Sequence, residues 1–228
     1  MNYIFDVDGT LTPSRLKMDK EFQKFFIKWS ETKNVYLLTG SDHEKTIEQV
    51  GIDIWKGVTE SHQCGGNVVF RNGDLVEKSG WKPNKSVLDV CQHLIDISNY
   101  PIKAGNHIET RVGLLNISVV GRDCSYEQRL EYNEWDMIHH EREFICKSIT
   151  TMFPELDASS GGQISVDIHE HGKNKSQIRR KVKGDIWFFG DKTMEGGNDY
   201  PIASLLTEPD KVFQVDDWQH TYRLLKEI

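Results

Sequence analysis

Short runs of consecutive apolar residues near both ends of the chain constrain its fold more than any other feature. Three lie at residues 3–5, 35–38 and 186–189, and the strand-like segment 212–215 is apolar except for Gln214. A strand whose side chains are apolar on both faces has to be buried on both faces. Helix-like segments separate these runs, so the pattern predicts an α/β fold in which helices cover each side of a parallel, Rossmann-like sheet.

The first intervening segments carry helix signals. Asp19 is a suitable N-cap for a helix, and Ser41 or Asp42 can cap a second one, which Gly51 ends. The first of these helices has apolar side chains spaced i, i+3, i+4 and i+7, at Phe22, Phe25, Phe26 and Trp29.

The middle of the chain follows a different pattern. Residues 107–112 and 114–119 are strand-like and flank Gly113, which predicts an antiparallel pair. Ser125 with Gln128 three residues later has the spacing of a capping box and predicts a helix start.

A further strand is predicted at residues 163–168, after two glycines. These mixed elements interrupt the parallel-sheet pattern. We therefore expect a core of residues 1–81 and 178–228, with a mixed α/β insert at residues 82–177.

The charge balance narrows the possible partners. Lys and Arg total 28 against 35 Asp and Glu, a net charge of −7. General nucleic-acid binding requires a basic surface, whereas a small phosphorylated ligand needs only a few local cations. We expect no membrane partner, because no apolar run is long enough for a transmembrane helix and the N-terminus lacks a signal-peptide pattern. Four widely spaced cysteines are typical of free thiols and of a cytoplasmic protein.

Two carboxylates follow the first apolar run. Asp6 and Asp8 are separated by one residue, and Gly9 allows a sharp turn after them. Carboxylates this close repel each other unless a cation lies between them, and carboxylate and carbonyl oxygens suit Mg²⁺. An acidic surface turn has the same pattern, so the motif alone leaves both interpretations open.

A second polar loop, residues 190–199, follows the apolar run at 186–189. It contains Asp191, Asn198 and Asp199, which offer further oxygen ligands. Open α/β sheets bind ligands at the edge formed by the carboxyl ends of their strands. The two loops together favour a metal site at that edge.

These motifs resemble those of a known superfamily. DVDGTLT at residues 6–12 resembles the first motif of the haloacid dehalogenase-like (HAD) phosphotransferases, and GDKT…GGND at 190–199 resembles the fourth. Thr39-Gly40-Ser41 resembles the second motif, and Lys175 matches the lysine of the third. The strings at 111–122, 124–129 and 161–167 resemble the cap of the eukaryotic-type phosphomannomutases. The resemblance implies a HAD core with an inserted substrate-binding cap.

The resemblance also implies catalytic roles. Asp6 would be the nucleophile that forms an aspartyl-phosphate. Asp8 would protonate the leaving sugar oxygen and deprotonate the attacking hydroxyl. Lys175 and the hydroxyl of Ser41 (or Thr39) would hold the transferring phosphoryl group.

Cofactors and partners follow from the same resemblance. Mg²⁺ would be held by Asp6, the backbone carbonyl of Asp8 and Asp191. A hexose 1,6-bisphosphate would serve as activator for the interconversion of mannose 6-phosphate and mannose 1-phosphate, a step in GDP-mannose biosynthesis. Relatives form homodimers through the cap, so we expect a homodimer here.

Further positions match the family's substrate-binding residues. Three arginines in the cap would hold the distal phosphate, because arginine binds phosphate in bidentate fashion. Ser165 and Asp167 would contact the sugar and its distal phosphate, and Arg15 would add a substrate contact in the core. The cap arginines are Arg111, Arg122 and Arg129.

Two other functions stay open at the level of sequence. One is a sugar-phosphate phosphatase, a hydrolase on the same fold. It differs from the mutase only in that water, rather than a sugar hydroxyl, attacks the aspartyl-phosphate. A non-enzymatic sugar-phosphate binding protein has no need of a nucleophile. The chain departs from the family pattern at Pro13, where the proline is displaced by one position, and at Ala203 and Ser204, where a second cation site is not expected.

Overall fold

The computed structural model describes all 228 residues, Met1–Ile228, and divides into two compact units. The core unit comprises Met1–Ser79, Asn174–Glu195 and Asp199–Ile228, and the inserted unit comprises Gly80–Lys173 with Gly196–Asn198. The main inserted segment thus ends at Lys173 rather than at residue 177, because the next turn packs within the core unit. No helix in either unit is long and apolar enough to cross a bilayer.

The core unit is built on a seven-stranded sheet. Its strands are β1 (Asn2–Phe5), β2 (Asn34–Leu38), β3 (Glu60–Gln63), β4 (Val68–Arg71), β5 (Asp74–Lys78), β10 (Ile186–Gly190) and β11 (Lys211–Gln214). Their order is β11-β10-β1-β2-β3-β4-β5. The first five strands in this order are parallel, whereas β4 and β5 form an antiparallel edge.

Helices cover both faces of this sheet, which confirms the prediction from the apolar runs. They are α1 (Lys20–Ser30), α2 (His43–Val50), α3 (Ile52–Gly57), α7 (Ile178–Lys181), α8 (Tyr200–Ala203) and α9 (Trp218–Leu225). Phe5 and Phe189 are buried in a cluster with residues of α1 and α9, whereas their neighbours Ile4 and Phe188 are buried with residues of α7 and α8. Adjacent strand residues therefore serve two separate cores, one on each face.

The inserted unit has a four-stranded antiparallel sheet and three helices. The strands are β6 (Ile108–Arg111), β7 (Leu114–Ile117), β8 (Leu156–Gly161) and β9 (Ser165–Glu170), in the order β6-β7-β9-β8. The helices are α4 (Lys85–Asp96), α5 (Tyr126–His139) and α6 (Glu141–Met152). Apolar side chains of the sheet, such as Leu115 and Val166, are buried in one cluster with residues of all three helices. Alternate positions on the same strands are polar, as expected for a sheet with one face in the core.

Local signals located the starts of three helices correctly. Asp19 and Asp42 accept backbone hydrogen bonds as N-caps of α1 and α2, and Ser125 forms the predicted capping box with Gln128. Two strands of the inserted unit differ from expectation. The strand predicted at 163–168 runs from Ser165 to Glu170, because residues 162–164 form the turn that joins it to β8. β8 itself was not predicted, since its sequence is polar and lacks alternation.

Candidate active site

Three carboxylates meet at the carboxyl ends of two neighbouring strands. Asp6 follows β1, Asp191 follows β10, and Asp199 ends the loop after β10. One carboxylate oxygen of each lies within 4.8 Å of the others. Because β1 and β10 are parallel and adjacent, the loops that follow them emerge at the same edge of the sheet. Asp6 and Asp199 are buried and Asp191 is half-buried.

Lys175 places an ammonium group inside this cluster. Its Nζ lies 2.6 Å from Oδ1 of Asp6 and 2.6 Å from Oδ1 of Asp199, and its side chain is 4% exposed. The lysine begins a 3₁₀ turn, Lys175–Gln177, in which the Asn174 side chain accepts a hydrogen bond from a backbone N–H. Gln177 anchors that turn by donating Nε2 to a backbone carbonyl of the core unit.

The carboxylates are not fully balanced by this one cation. Burial raises the pKa of Asp6 well above its usual range, Lys175 opposes that effect, and Asp199 and Asp191 reinforce it. Burial, and then the charge of Asp199, raise the pKa of Asp191 to about 6. For Lys175, burial alone would lower the pKa, but the two carboxylates outweigh it and raise the pKa overall. The site therefore holds an excess of negative charge where little water solvates it.

Two glycines leave space for these carboxylates. A Cβ atom on Gly9 would lie 2.5 Å from Oδ2 of Asp191, and a Cβ atom on Gly190 would lie 2.6 Å from Oδ2 of Asp199. Gly9 also has a φ of 84°, where an L side chain is strained. The closeness of the carboxylates to the backbone thus depends on glycine at both positions.

The carboxylate of Asp8 stands apart from the cluster. Its Oδ1 accepts hydrogen bonds from the backbone N–H of Arg15 at 2.6 Å and from Nε2 of Gln49 at 2.9 Å. Oδ2 accepts from Oγ of Ser41 at 3.4 Å. The structure therefore brings Ser41 to Asp8 and not to Asp6. Arg15 contributes its backbone here, while its side chain is exposed.

The three-carboxylate cluster has the chemistry of a divalent cation site. Mg²⁺ prefers oxygen ligands, and carboxylates supply them together with compensating charge. Asp6, Asp191 and Asp199 offer such oxygens at mutual distances that one ion can bridge. This set contains two of the three predicted ligands and adds Asp199. The backbone carbonyl of Asp8 stays a prediction as a ligand.

The insert residues singled out by sequence lie mainly on the polar face of the inserted unit's sheet. Nη1 of Arg122 donates to Oγ of Ser165 at 3.0 Å, and Asp167, two residues further along β9, accepts a hydrogen bond from an asparagine of β7. Arg111, at the end of β6, pairs with a carboxylate that also lies near Arg122. Arg129 lies in the first turn of α5 and is half-buried.

Sequence reasoning missed several residues of these sites. Asp199 was one of several possible oxygen ligands in its loop but was left out of the predicted ligand set, although the structure places it in the cluster. Gln49 is 2% exposed and its Oε1 has no hydrogen-bond partner, yet nothing in an amphipathic helix marks one glutamine as buried. Glu109 and Asn116 on the inserted sheet were also missed, because their contacts join separate segments.

Solved structures share this fold. An N-terminally truncated, IMP-bound Plasmodium falciparum IMP-nucleotidase aligns with a TM-score of 0.68 at 16% identity, over 99% of this chain and 67% of that one. A trehalose-6-phosphate phosphatase related protein aligns with a TM-score of 0.56 at 18% identity, over 99% of this chain and 96% of that one. At such identities the likeness concerns the fold alone.

Curated relatives are much closer in sequence. A phosphomannomutase of Saccharomyces cerevisiae is 36% identical over 212 residues, which cover 87% of this chain and 83% of that protein. One of Encephalitozoon cuniculi is 37% identical over 213 residues, which cover 88% and 83%. The family model for eukaryotic phosphomannomutase matches residues 22–228, a range that begins after the Asp6–Asp8 motif. By both measures the chain belongs to the eukaryotic phosphomannomutase family.

Proposed function

We propose that this protein is a phosphomannomutase, which interconverts mannose 6-phosphate and mannose 1-phosphate through a hexose 1,6-bisphosphate. The observation that carries the proposal is the buried carboxylate of Asp6, held 2.6 Å from the Lys175 ammonium in a cluster suited to a divalent cation. The names of the curated relatives support the same activity.

Asp6 is the nucleophile in this proposal. An oxygen of its carboxylate attacks one phosphorus atom of the bisphosphate, the bond from phosphorus to the sugar oxygen breaks, and an aspartyl-phosphate forms. The released monophosphate is one product. In the return step a hydroxyl of the other monophosphate attacks the aspartyl-phosphate, which regenerates the bisphosphate and the free carboxylate.

Asp8 handles the proton in both directions. Its carboxyl group gives a proton to the sugar oxygen as that oxygen leaves, and takes one from the sugar hydroxyl that attacks. The hydrogen bonds from the Arg15 backbone, Gln49 and Ser41 support this role, because they fix the orientation of the carboxylate.

Lys175, Ser41 and the metal would reduce charge repulsion. Bound Mg²⁺ would supply positive charge to the transferring phosphoryl group, and Asp6, Asp191 and Asp199 would hold it with the Asp8 carbonyl. The Lys175 ammonium orients Asp6 and balances its charge. Ser41 would donate a hydrogen bond to a phosphoryl oxygen.

The inserted unit would bind the rest of the sugar bisphosphate. Arg111, Arg122 and Arg129 would hold the distal phosphate, and Ser165 and Asp167 would contact the sugar. Arg15 would add a contact from the core unit. A mutase needs such a second anion site, because the bisphosphate must be retained while it exchanges the phosphate presented to Asp6.

We also propose a homodimer and a cytoplasmic location. Met137, Ile138 and Phe144 on α5 and α6 are 68%, 75% and 55% exposed, and a partner surface that covered them would bury substantial apolar area. None of the four cysteines is in a disulfide, as expected in a reducing compartment. Sedimentation equilibrium of the wild-type chain and of Ile138→Asp tests the first proposal, and a sedimentation mass of one chain for the wild type would refute it.

The activity is tested with mannose 1-phosphate, Mg²⁺ and a catalytic amount of hexose 1,6-bisphosphate, followed by phosphorus NMR. We expect mannose 6-phosphate to accumulate. Steady release of inorganic phosphate without isomerised sugar would identify a sugar-phosphate phosphatase instead. Asp6→Asn should abolish turnover, whereas Asp53→Asn, at an exposed position of α3, should not.

A phosphorylation mimic separates the enzyme from a binding protein. Beryllofluoride bonds to a nucleophilic aspartate in the place of a phosphoryl group. Stoichiometric, Mg²⁺-dependent trapping that is lost in Asp6→Asn supports the aspartyl-phosphate. Sugar phosphate binding without any trapping would indicate a binding protein.

A further inference from the structure

A carboxylate lies between two arginines on the polar face of the inserted unit's sheet. Oε2 of Glu109 is 2.6 Å from Nη2 of Arg111 and 3.5 Å from Nε of Arg122. The side chains of the two arginines are 19% and 17% exposed, and that of Glu109 is 36% exposed. Two guanidinium groups therefore converge on one carboxylate oxygen at a site that solvent still reaches.

Strand geometry places these groups on a common polar surface. Glu109 and Arg111 are two residues apart on β6, so their side chains project from the same face. Glu109 pairs with Asn116 of β7, and Asn116 pairs with Asp167 of β9. Nδ2 of Asn116 donates to Oδ1 of Asp167 at 2.5 Å. A row of polar side chains thus crosses three strands and starts at Glu109.

We propose that Glu109 is an intramolecular competitor for the anion site formed by Arg111 and Arg122. Without ligand, its carboxylate takes the position between the two guanidinium groups that an oxygen of the sugar's distal phosphate takes when substrate is bound. Carboxylate and phosphate accept hydrogen bonds from arginine in the same bidentate geometry, so one N–H group cannot serve both fully. The inference rests on the proposed function and adds a residue that lowers the affinity of this anion site.

The Glu109 carboxylate has two effects on the anion site: it stabilises the arrangement of the two arginines, and it opposes the binding of phosphate. The carboxylate holds two like charges together, which keeps the arginines in place before substrate arrives. It also reduces the positive charge that an incoming phosphate meets. A phosphate dianion carries more charge than the carboxylate and is the stronger ligand for paired arginines, so it displaces Glu109 at some cost in affinity. Glu109 therefore lowers the affinity of this anion site, so that only a ligand that binds the arginines more strongly than a carboxylate does can occupy it.

The test is equilibrium binding of mannose 6-phosphate to the full chain in EDTA, where no phosphoryl transfer accompanies binding. Isothermal calorimetry compares the wild type with Glu109→Gln, which keeps an acceptor oxygen but loses the charge. Since a partly exposed ion pair contributes modestly, we expect the Kd to fall by about two- to fivefold. The matched control is Glu134→Gln, which removes the same charge from an exposed position of α5 and should leave the Kd unchanged.

Arg122→Gln separates this inference from the proposed function. Weaker binding in Arg122→Gln together with tighter binding in Glu109→Gln supports both. Weaker binding in Arg122→Gln with an unchanged or higher Kd in Glu109→Gln overturns the competition and leaves the phosphate site standing. Unchanged binding in both variants, or no binding by the wild type, contradicts both. Calorimetric melting of Glu109→Gln shows whether its fold is intact, and a folded variant that binds less tightly would assign Glu109 a purely supporting role.

Discussion

Removal of the Lys175 ammonium is the sharpest test of how the core unit is stabilised. In Lys175→Met the side chain keeps nearly its length and loses its charge, so Asp6 and Asp199 lose a partner that each contacts at 2.6 Å. At an effective dielectric constant of about 20, one such contact corresponds to about 6 kcal/mol of Coulomb energy. Desolvation of the charges offsets much of this, and measured losses for breaking a buried pair are about 3–5 kcal/mol.

We therefore expect Lys175→Met to lower the free energy of unfolding by about 3–5 kcal/mol, a large part of the stability of an ordinary domain. The assay is urea unfolding of the full chain in EDTA, followed by tryptophan fluorescence. This signal reports mainly on the core unit, which contains Trp29, Trp55, Trp187 and Trp218.

Lys181→Met is the matched control for burial. Lys181 pairs with Glu77 at 2.7 Å, a similar distance, but the two side chains are 26% and 50% exposed. Exposed pairs contribute about 0.2–1 kcal/mol, so this variant should lose little. A loss below about 1 kcal/mol in Lys175→Met, or equal losses in both variants, would refute the conclusion that burial makes the Lys175 contacts strong.

Three further predictions concern other parts of the chain. Gly190→Ala should reduce Mg²⁺-dependent turnover at least about tenfold, which corresponds to about 1.4 kcal/mol, because its Cβ would lie 2.6 Å from Oδ2 of Asp199. The control is Gly57→Ala, which has open space around its Cβ. Equal activities of the two variants would contradict the steric explanation. Hydrogen bonding from His62 and the nearby Arg71 guanidinium lower the pKa of Glu60 to about 2 against the effect of burial. This carboxylate therefore stabilises the fold above its unfolded pKa of about 4.3 and loses that contribution as the pH falls towards 2. Urea unfolding at a series of pH values should show the free energy of unfolding fall by about 1–2 kcal/mol in the wild type but not in Glu60→Gln. Identical pH profiles of the two proteins would contradict this. Leu115→Ala should destabilise the inserted unit by about 2–5 kcal/mol, since Leu115 is fully buried. The control is Met137→Ala, at an exposed position, which should have little effect. Hydrogen exchange of the β7 amides measures both variants, and unchanged exchange in Leu115→Ala would contradict the role of Leu115 in the core of this unit.

Much of the core unit was predictable because its signals are local. The apolar runs of β1, β2 and β10 indicated parallel strands inside the sheet, whereas the run of β11 became an exposed strand at the sheet's edge. Asp19 and Asp42 act as helix caps in this unit through contacts with residues two or three positions away. The inserted unit was harder to predict. The residues of β8 are mostly polar and carry no strand pattern, and they form a strand only because they pair with β9.

The strand-and-loop motifs that carry Asp6 and Asp191 could be recognised from local sequence, since each residue comes directly after an apolar strand. Which charges face each other depends on the packing of remote segments. Lys175 reaches Asp6 across 169 residues of sequence and Asp199 across 24, and Glu109 meets Arg122 only because β6 lies beside the segment that follows β7. Local patterns depend on neighbouring residues, whereas the strength of a charge contact depends on burial and distance, which the packing of remote segments sets.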